Sequence, residues 1–312
     1  MEERRMRLGM MLAALWLALS GGVAMAQVPD GRLVTIEAFA STHVKPRKVT
    51  IWLPADYDAN PRRRFPVLYM HDGQNVFDAK TAYAGEWGVD EAVTRLSRRG
   101  DLRSTIVVGV WNTDLRYREY FPDKVYAHLP LAYRALVDEQ SHKAPLLGDA
   151  YLAFLVQELK PYVDAHFRTL KGPADTSMMG SSMGGLISLY AIGEYPEVFG
   201  QVAAVSIHWP LGNPEAAPAN TPEGPAMVAA AFEAWLQGTR IDPRRNRIYA
   251  DRGSATLDAS YPPFLAAIDA MMVRRGWTPG VNWESRAYTG ASHNEKSWRE
   301  RIDIPLVFLD RK

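Results

Sequence analysis

Apolar residues along this chain gather into short runs separated by stretches with helical spacing. Lys48-Val-Thr-Ile-Trp-Leu-Pro54 reads as a strand ended by proline. Phe65-Pro-Val-Leu-Tyr-Met70 and Ser104-Thr-Ile-Val-Val-Gly-Val-Trp111 are more continuously apolar, as strands buried on both faces are. Asp175 to Met179, Gln201 to Ile207, Asn246 to Ala250 and Asn282 to Tyr288 complete the set. Between them the spacing predicts helices over Trp87 to Arg99, 149 to 168, Ala226 to Leu236 and 261 to 275, with a helix start at Leu186 to Ile192. In the 149 to 168 stretch, Leu152, Phe154, Leu155, Leu159, Val163 and Phe167 share one side. An opening segment, 27 to 45, holds the alternating run Arg32 to Phe39. Strands alternating with helices imply one α/β domain over 27–312, with a mostly parallel central sheet covered on both faces. Two connections, 112 to 148 and 209 to 245, are longer than such a sheet needs. At the carboxyl ends of strands, excursions of this kind build a substrate pocket.

Composition narrows this picture. With 312 residues, 47% of them hydrophobic, the chain can bury one large core. Lys and Arg number 36 against 35 acidic residues, so neither nucleic acid nor an anionic surface is expected as partner. The N-terminus departs from the rest. Three arginines within Met1 to Arg7 precede the apolar run Leu8 to Leu19, then small residues stand in an A-x-A arrangement at Ala24-Met-Ala26. That pattern reads as a signal peptide over 1–26, cleaved after Ala26, leaving no membrane anchor and a periplasmic or secreted protein. The chain has no cysteine, so an exported form relies on its core rather than on disulfides.

The candidate chemistry centres on Gly180-Ser-Ser-Met-Gly-Gly185, which fits G-x-S-x-G with Ser182 in the middle. Placed between a strand and a helix, it reads as the nucleophile elbow of an α/β-hydrolase fold. A serine hydroxyl needs a base. Of seven histidines, His293 is the one standing after the last strand, where this fold puts its base. An acid must then fix the imidazole, and Asp258 and Asp251 compete for that place after the strand at 246 to 250. Asp258, beyond a glycine turn, is favoured because a loop there can carry a carboxylate to His293; Asp251, at the strand end, suits backbone amides in the turn. Oxyanion donors are expected from the amide of Met183 and from the loop His71-Asp-Gly-Gln-Asn75, through Gln74 or Gly73. His71 and Asp72 lack further ligands in metal-binding spacing, so no metal or cofactor is called for.

The combined motifs resemble the esterase D-like (putative esterase) family of α/β-hydrolases, which takes in enterochelin-type, feruloyl and acetyl esterases. The resemblance rests on Leu68 to Asp78, Glu86 to Asp90, Arg116 to Pro122, Gly180 to Gly185, Tyr195 to Gly200 and Gly290 to His293. It implies Ser182 as nucleophile, His293 as base, and Met183 with Gln74 as oxyanion donors. Many relatives carry an acidic residue after the glycine of Gly253-Ser-Ala-Thr256, and this chain does not, so the acid stays open between Asp258 and Asp251. The expectation is an exported serine ester hydrolase working through an acyl-enzyme on a siderophore, aryl or carbohydrate ester. A silent binding protein on the same fold and an acyltransferase are the alternatives. Trp87, Trp111, Arg116, Tyr117, His208 and Trp209 are the expected substrate contacts, with Arg118 and Tyr120 beside them; aromatics with arginines suit a sugar or an aryl group.

Overall fold

A computed structural model describes residues 22–311, apart from positions 29 and 84. The arginine-led start and apolar run read as an export signal lie outside the described residues. Its last positions do not: Val23–Val28 form a strand, β1, that the sequence pattern did not suggest. Its pairing is antiparallel to β2 (Gly31–Phe39), and all but its last residue are exposed.

The strands join one nine-stranded sheet in the order β1-β2-β3-β5-β4-β6-β7-β8-β9. Here β3 is Arg47–Pro54, β4 Val67–His71, β5 Ile106–Val110, β6 Thr176–Ser181, β7 Gln201–Val205, β8 Arg247–Arg252 and β9 Trp283–Ala287. From β5 onward the neighbours are parallel; β1, β2 and β3 attach to one edge as an antiparallel flank. The two faces take alternate residues of each strand, as the pleat requires. Val67 and Tyr69 of β4 enter one apolar cluster, Leu68 and Met70 the other.

Helices cover both faces. In α1 (Val89–Arg99), Val89, Ala92, Val93 and Leu96 are buried while Arg95, Arg98 and Arg99 face solvent, and Gly100 ends the helix at φ 79°. The long connection after β5 is not irregular. It folds into α2 (Arg116–Glu119) and α3 (Asp123–His128), each too short for a 3.6-residue period to register, and α4 (Leu131–Gln140), which buries Tyr133, Leu136 and Val137 on one side. The expected helix at 149 to 168 is real but divided: α5 (Gly148–Ala153) passes through a π-helical segment, Phe154–Leu159, into α6 (Lys160–His166). Next come α7 (Met183–Glu194), α8 (Gly224–Gln237) and α9 (Pro262–Arg274). Last are α10 (Glu295–Arg299) and α11 (Asp303–Asp310). Among the described residues no helix is long and apolar enough to cross a membrane.

Candidate active site

The elbow forms where β6 turns sharply into α7. Ser182 sits at the apex with φ 57° and ψ −121°, a region L-residues rarely occupy and one that needs its surroundings to hold it. Its amide donates to Val205 O (2.9 Å), and its carbonyl accepts from Leu186 (3.1 Å) and His208 (3.3 Å). Gly180 makes the turn possible: a methyl group there would lie 2.7 Å from the carbonyl carbon of Gly184. Apolar almost all round, α7 is buried from Met183 to Gly193 and fixes the direction in which Ser182 points.

Beside the elbow runs the loop after β4. Asp72 is left-handed at φ 55°, and Gly73–Asn75 form a single 3-10 turn. Gly73 packs so tightly on β5 that a methyl group would stand 2.6 Å from the Gly109 carbonyl carbon. Arg116 grips Asp72 with a two-pronged hydrogen bond, Nε to Oδ1 at 2.7 Å and Nη2 to Oδ2 at 2.8 Å, and Asn112 adds a third at 2.6 Å. Burial pushes the Asp72 carboxyl upward, but the Arg116 charge and these bonds outweigh it and hold it below the usual carboxylate range. His71, buried beneath the elbow, bonds Tyr151 through Nδ1 (2.9 Å) and is pushed down to about 3, chiefly by burial and then by Arg116. Among the described residues the amides of Met183 and Gln74 have no protein acceptor, and the two loops run close enough that a methyl group on Gly184 would lie 3.5 Å from Asp72 Oδ2.

On the other side stands His293. Its Nδ1 lies 2.5 Å from Asp258 Oδ1, and its backbone amide donates to Thr256 Oγ1 at 2.8 Å. Trp298 and Tyr261 meet its ring edge to face, at centroid distances of 5.2 and 5.8 Å. Fully buried, Asp258 also accepts from Ser206 Oγ (2.7 Å) and Gly253 N (2.5 Å). Burial raises its carboxyl, yet His293, Ser206 and Gly253 together keep it below its ordinary value. A carboxylate at Nδ1 leaves Nε2 as the acceptor, which is the tautomer a general base needs. Asp251 does not reach His293. It takes both prongs of Arg301 (3.0 and 2.9 Å), the Ser206 amide (2.9 Å) and the Tyr249 hydroxyl (2.8 Å).

Ser182 opens into a cleft of about 440 Å³ between the two long connections. Arg116, Tyr117 and His208, expected as substrate contacts, line it, joined by Gln140, Asn213 and Leu257, which sequence reasoning missed. The tryptophans do not. Trp87 is buried and stacked on Trp298 at 5.4 Å, and Trp209 is buried edge-on against Phe232. Trp111 is tied to Thr50 beneath the Lys48 ammonium, and Tyr120 is buried under Arg116. Arg118 bonds the Pro145 carbonyl instead. Tyr261, also unanticipated, sets its hydroxyl against the Ser182 side chain. Its proton goes to His208 Nδ1 (2.8 Å), because His208 Nε2 must donate to the Gly212 carbonyl (2.9 Å). Burial, then the nearby His293, pushes His208 down to about 4, so it is neutral at ordinary pH.

A parallel sheet with a strained serine at a strand-to-helix turn, and a His–Asp pair beside it, defines an α/β-hydrolase. The model of the family described as "Putative esterase" matches residues 41–306, and the chain belongs to that family. Relatives among curated proteins include the uncharacterized YbbA of Bacillus subtilis (strain 168), 24% identical over 51% of this chain and 56% of the relative. YjcH of the same organism is 22% identical over 49% of this chain and 52% of its own length. The matches thus span about half the length of these curated relatives. Similar solved structures include a ferulic acid esterase (TM-score 0.62, 19% identity, covering 90% of this chain and 98% of that one). The IroE-like serine hydrolase of Shewanella oneidensis is also similar (0.64, 17%, 88% and 78%). So is the enterobactin esterase FES of Shigella flexneri (0.61, 19%, 92% and 61%). At these identities the likeness is one of fold.

Proposed function

We propose that this protein is a serine carboxylic-ester hydrolase in which Ser182 is the nucleophile, His293 the base and Asp258 the acid. The observation that carries this is the buried, triply hydrogen-bonded Asp258 holding His293 at the open side of the elbow serine. Among the described residues Ser182 and His293 make no direct hydrogen bond, and Tyr261 stands beside the serine. Such bonds commonly close only with substrate in place. Ser182 Oγ then attacks the ester carbonyl as its proton passes to His293 Nε2, and the amides of Met183 and Gln74 receive the oxyanion. The imidazolium gives its proton to the leaving alcohol, and water, deprotonated by the same nitrogen, releases the acid and restores the serine.

The cleft favours an uncharged ester. Among the residues lining it, Arg116 is the one charged group, and Asp72 already neutralises it. Tyr117, Gln140 and Asn213 offer hydrogen bonds to hydroxyl-bearing groups. We therefore place an aryl or carbohydrate ester ahead of a strongly anionic siderophore. Export is part of the proposal, on the strength of the Met1 to Ala26 pattern. Replacing Ser182 by Ala should reduce hydrolysis of p-nitrophenyl acetate by about four orders of magnitude or more. A fluorophosphonate should label Ser182 in the native protein, and turnover surviving in the variant would sink the mechanism.

A further inference from the structure

Behind Asp258, outside the cleft, Ser206, Asp251, Trp298 and Arg301 form a sealed polar cluster, with none of the four more than 6% exposed. Ser206 follows β7 in the left-handed region at φ 43°. A serine hydroxyl has one proton to give and two lone pairs to offer. Trp298 Nε1–H donates to Ser206 Oγ at 3.0 Å and Arg301 Nη2–H at 2.9 Å, and neither nitrogen can accept. With both lone pairs filled, the Ser206 proton has one destination, Asp258 Oδ2 at 2.7 Å. Asp251 fixes the arrangement from below, holding the Ser206 amide and both prongs of Arg301.

We propose that Ser206 is the positioning residue of the acid, locked as a one-way donor to Asp258, and that the Arg301–Asp251 pair locks it while cancelling the arginine charge. The inference rests on the Ser182–His293–Asp258 reading. It gives Asp251 a task that is neither triad acid nor simple turn support. Other titratable or charged groups facing His293 and Asp258 are Tyr261 just before α9, His208 from the loop after β7, and Glu295 from α10. Arg116 is felt through His208 and Glu295. The test leaves all of these intact.

The measurement is kcat/KM against pH for p-nitrophenyl acetate, with folding checked by near-ultraviolet circular dichroism. Ser206→Ala takes a donor from the carboxylate, which then holds the imidazolium more strongly. The acid limb should move up by about half a pH unit to one unit, with the plateau falling roughly tenfold. Ser206→Cys, a weak donor, should give a smaller shift in the same direction. Asp251→Asn leaves Arg301 uncompensated, which opposes a second positive charge on His293, so the acid limb should move down. The double variant D251N/R301Q removes both charges and should bring the limb back towards the native position. If Asp251→Asn does not fold, the Ala and Cys variants and the double variant decide. Plateau losses without limb movement, or movement of both single variants in one direction, would overturn the proposal. Failure of the underlying reading looks different: Ser182→Ala or Asp258→Asn would then retain native rates.

Discussion

Two aspartates lie on either side of the elbow serine, each gripped by an arginine through two hydrogen bonds, yet the pairs have different settings. Arg301 and Asp251 are sealed, with side chains 5% and 0% exposed. Arg116 and Asp72 sit at the cleft, with the arginine side chain 31% exposed. The sealed pair must satisfy every polar atom internally, and it does so by drawing in Ser206, Tyr249 and the Ser297 carbonyl. Among the described residues the cleft pair leaves Arg116 Nη1 without a protein acceptor, and the guanidinium lines the cleft. One geometry thus serves two ends: it anchors the Asp258–His293 side by exclusion of water, and it shapes the loop after β4 while remaining open to the cleft.

The sharpest break in this symmetry concerns the aspartates themselves. Asp258→Asn should cost about three to four orders of magnitude in kcat, because the wrong tautomer of His293 is then favoured. Asp251→Asn should cost far less, and the reverse order would reassign the acid. Next, Arg301→Met strands a buried carboxylate and should lower stability by about 3–5 kcal/mol in urea unfolding. A loss under 1 kcal/mol would show that the sealed setting matters little. Arg116→Gln should lower kcat/KM by about 10- to 100-fold through loosening of the loop that carries Gln74. Because Asp72 titrates lower in the folded than in the unfolded chain, the stability it contributes is present above about pH 4 and lost on acidification through the folded value. The Arg116→Gln variant should therefore show a weaker acid-side decline than the native protein. Last, Arg299 bridges Glu86 and Glu91 with its side chain 44% exposed, and Arg299→Gln should change stability by about 1 kcal/mol at most.

How much of this could be read from the chain differs between the two sides. The buried strands were legible from continuous apolar runs, Ser182 from its glycines, and His293 from its place after the last strand. Between Asp251 and Asp258 the chain gave only a preference for Asp258. Which of the two meets His293 follows in space from Arg301, 50 residues from Asp251, and from a serine with no local mark of its own. The tryptophans misled for a physical reason: the side chains that suit a sugar are also those with most surface to bury. Trp87 and Trp209 went to the core, while Gln140 and Asn213 reached the cleft because short helices and a turn carried them there. Tyr261 lies at the start of α9, where proline and the helical period drew attention and a hydroxyl did not.

The outer strand β1 carries a consequence for the protein's behaviour towards its own copies. Cleavage after Ala26, which the export proposal requires, would remove most of β1 and hand the rim of the sheet to β2. Bare strand rims recruit further strands, and in a crowded compartment that is a route to fibrous aggregates. On β2 stand the half-buried Arg32, tied across to Asp58, and the exposed Glu37, tied to Lys48. Fixed charges projecting from the new rim would obstruct an incoming strand, so the processed chain would carry its own guard against self-association.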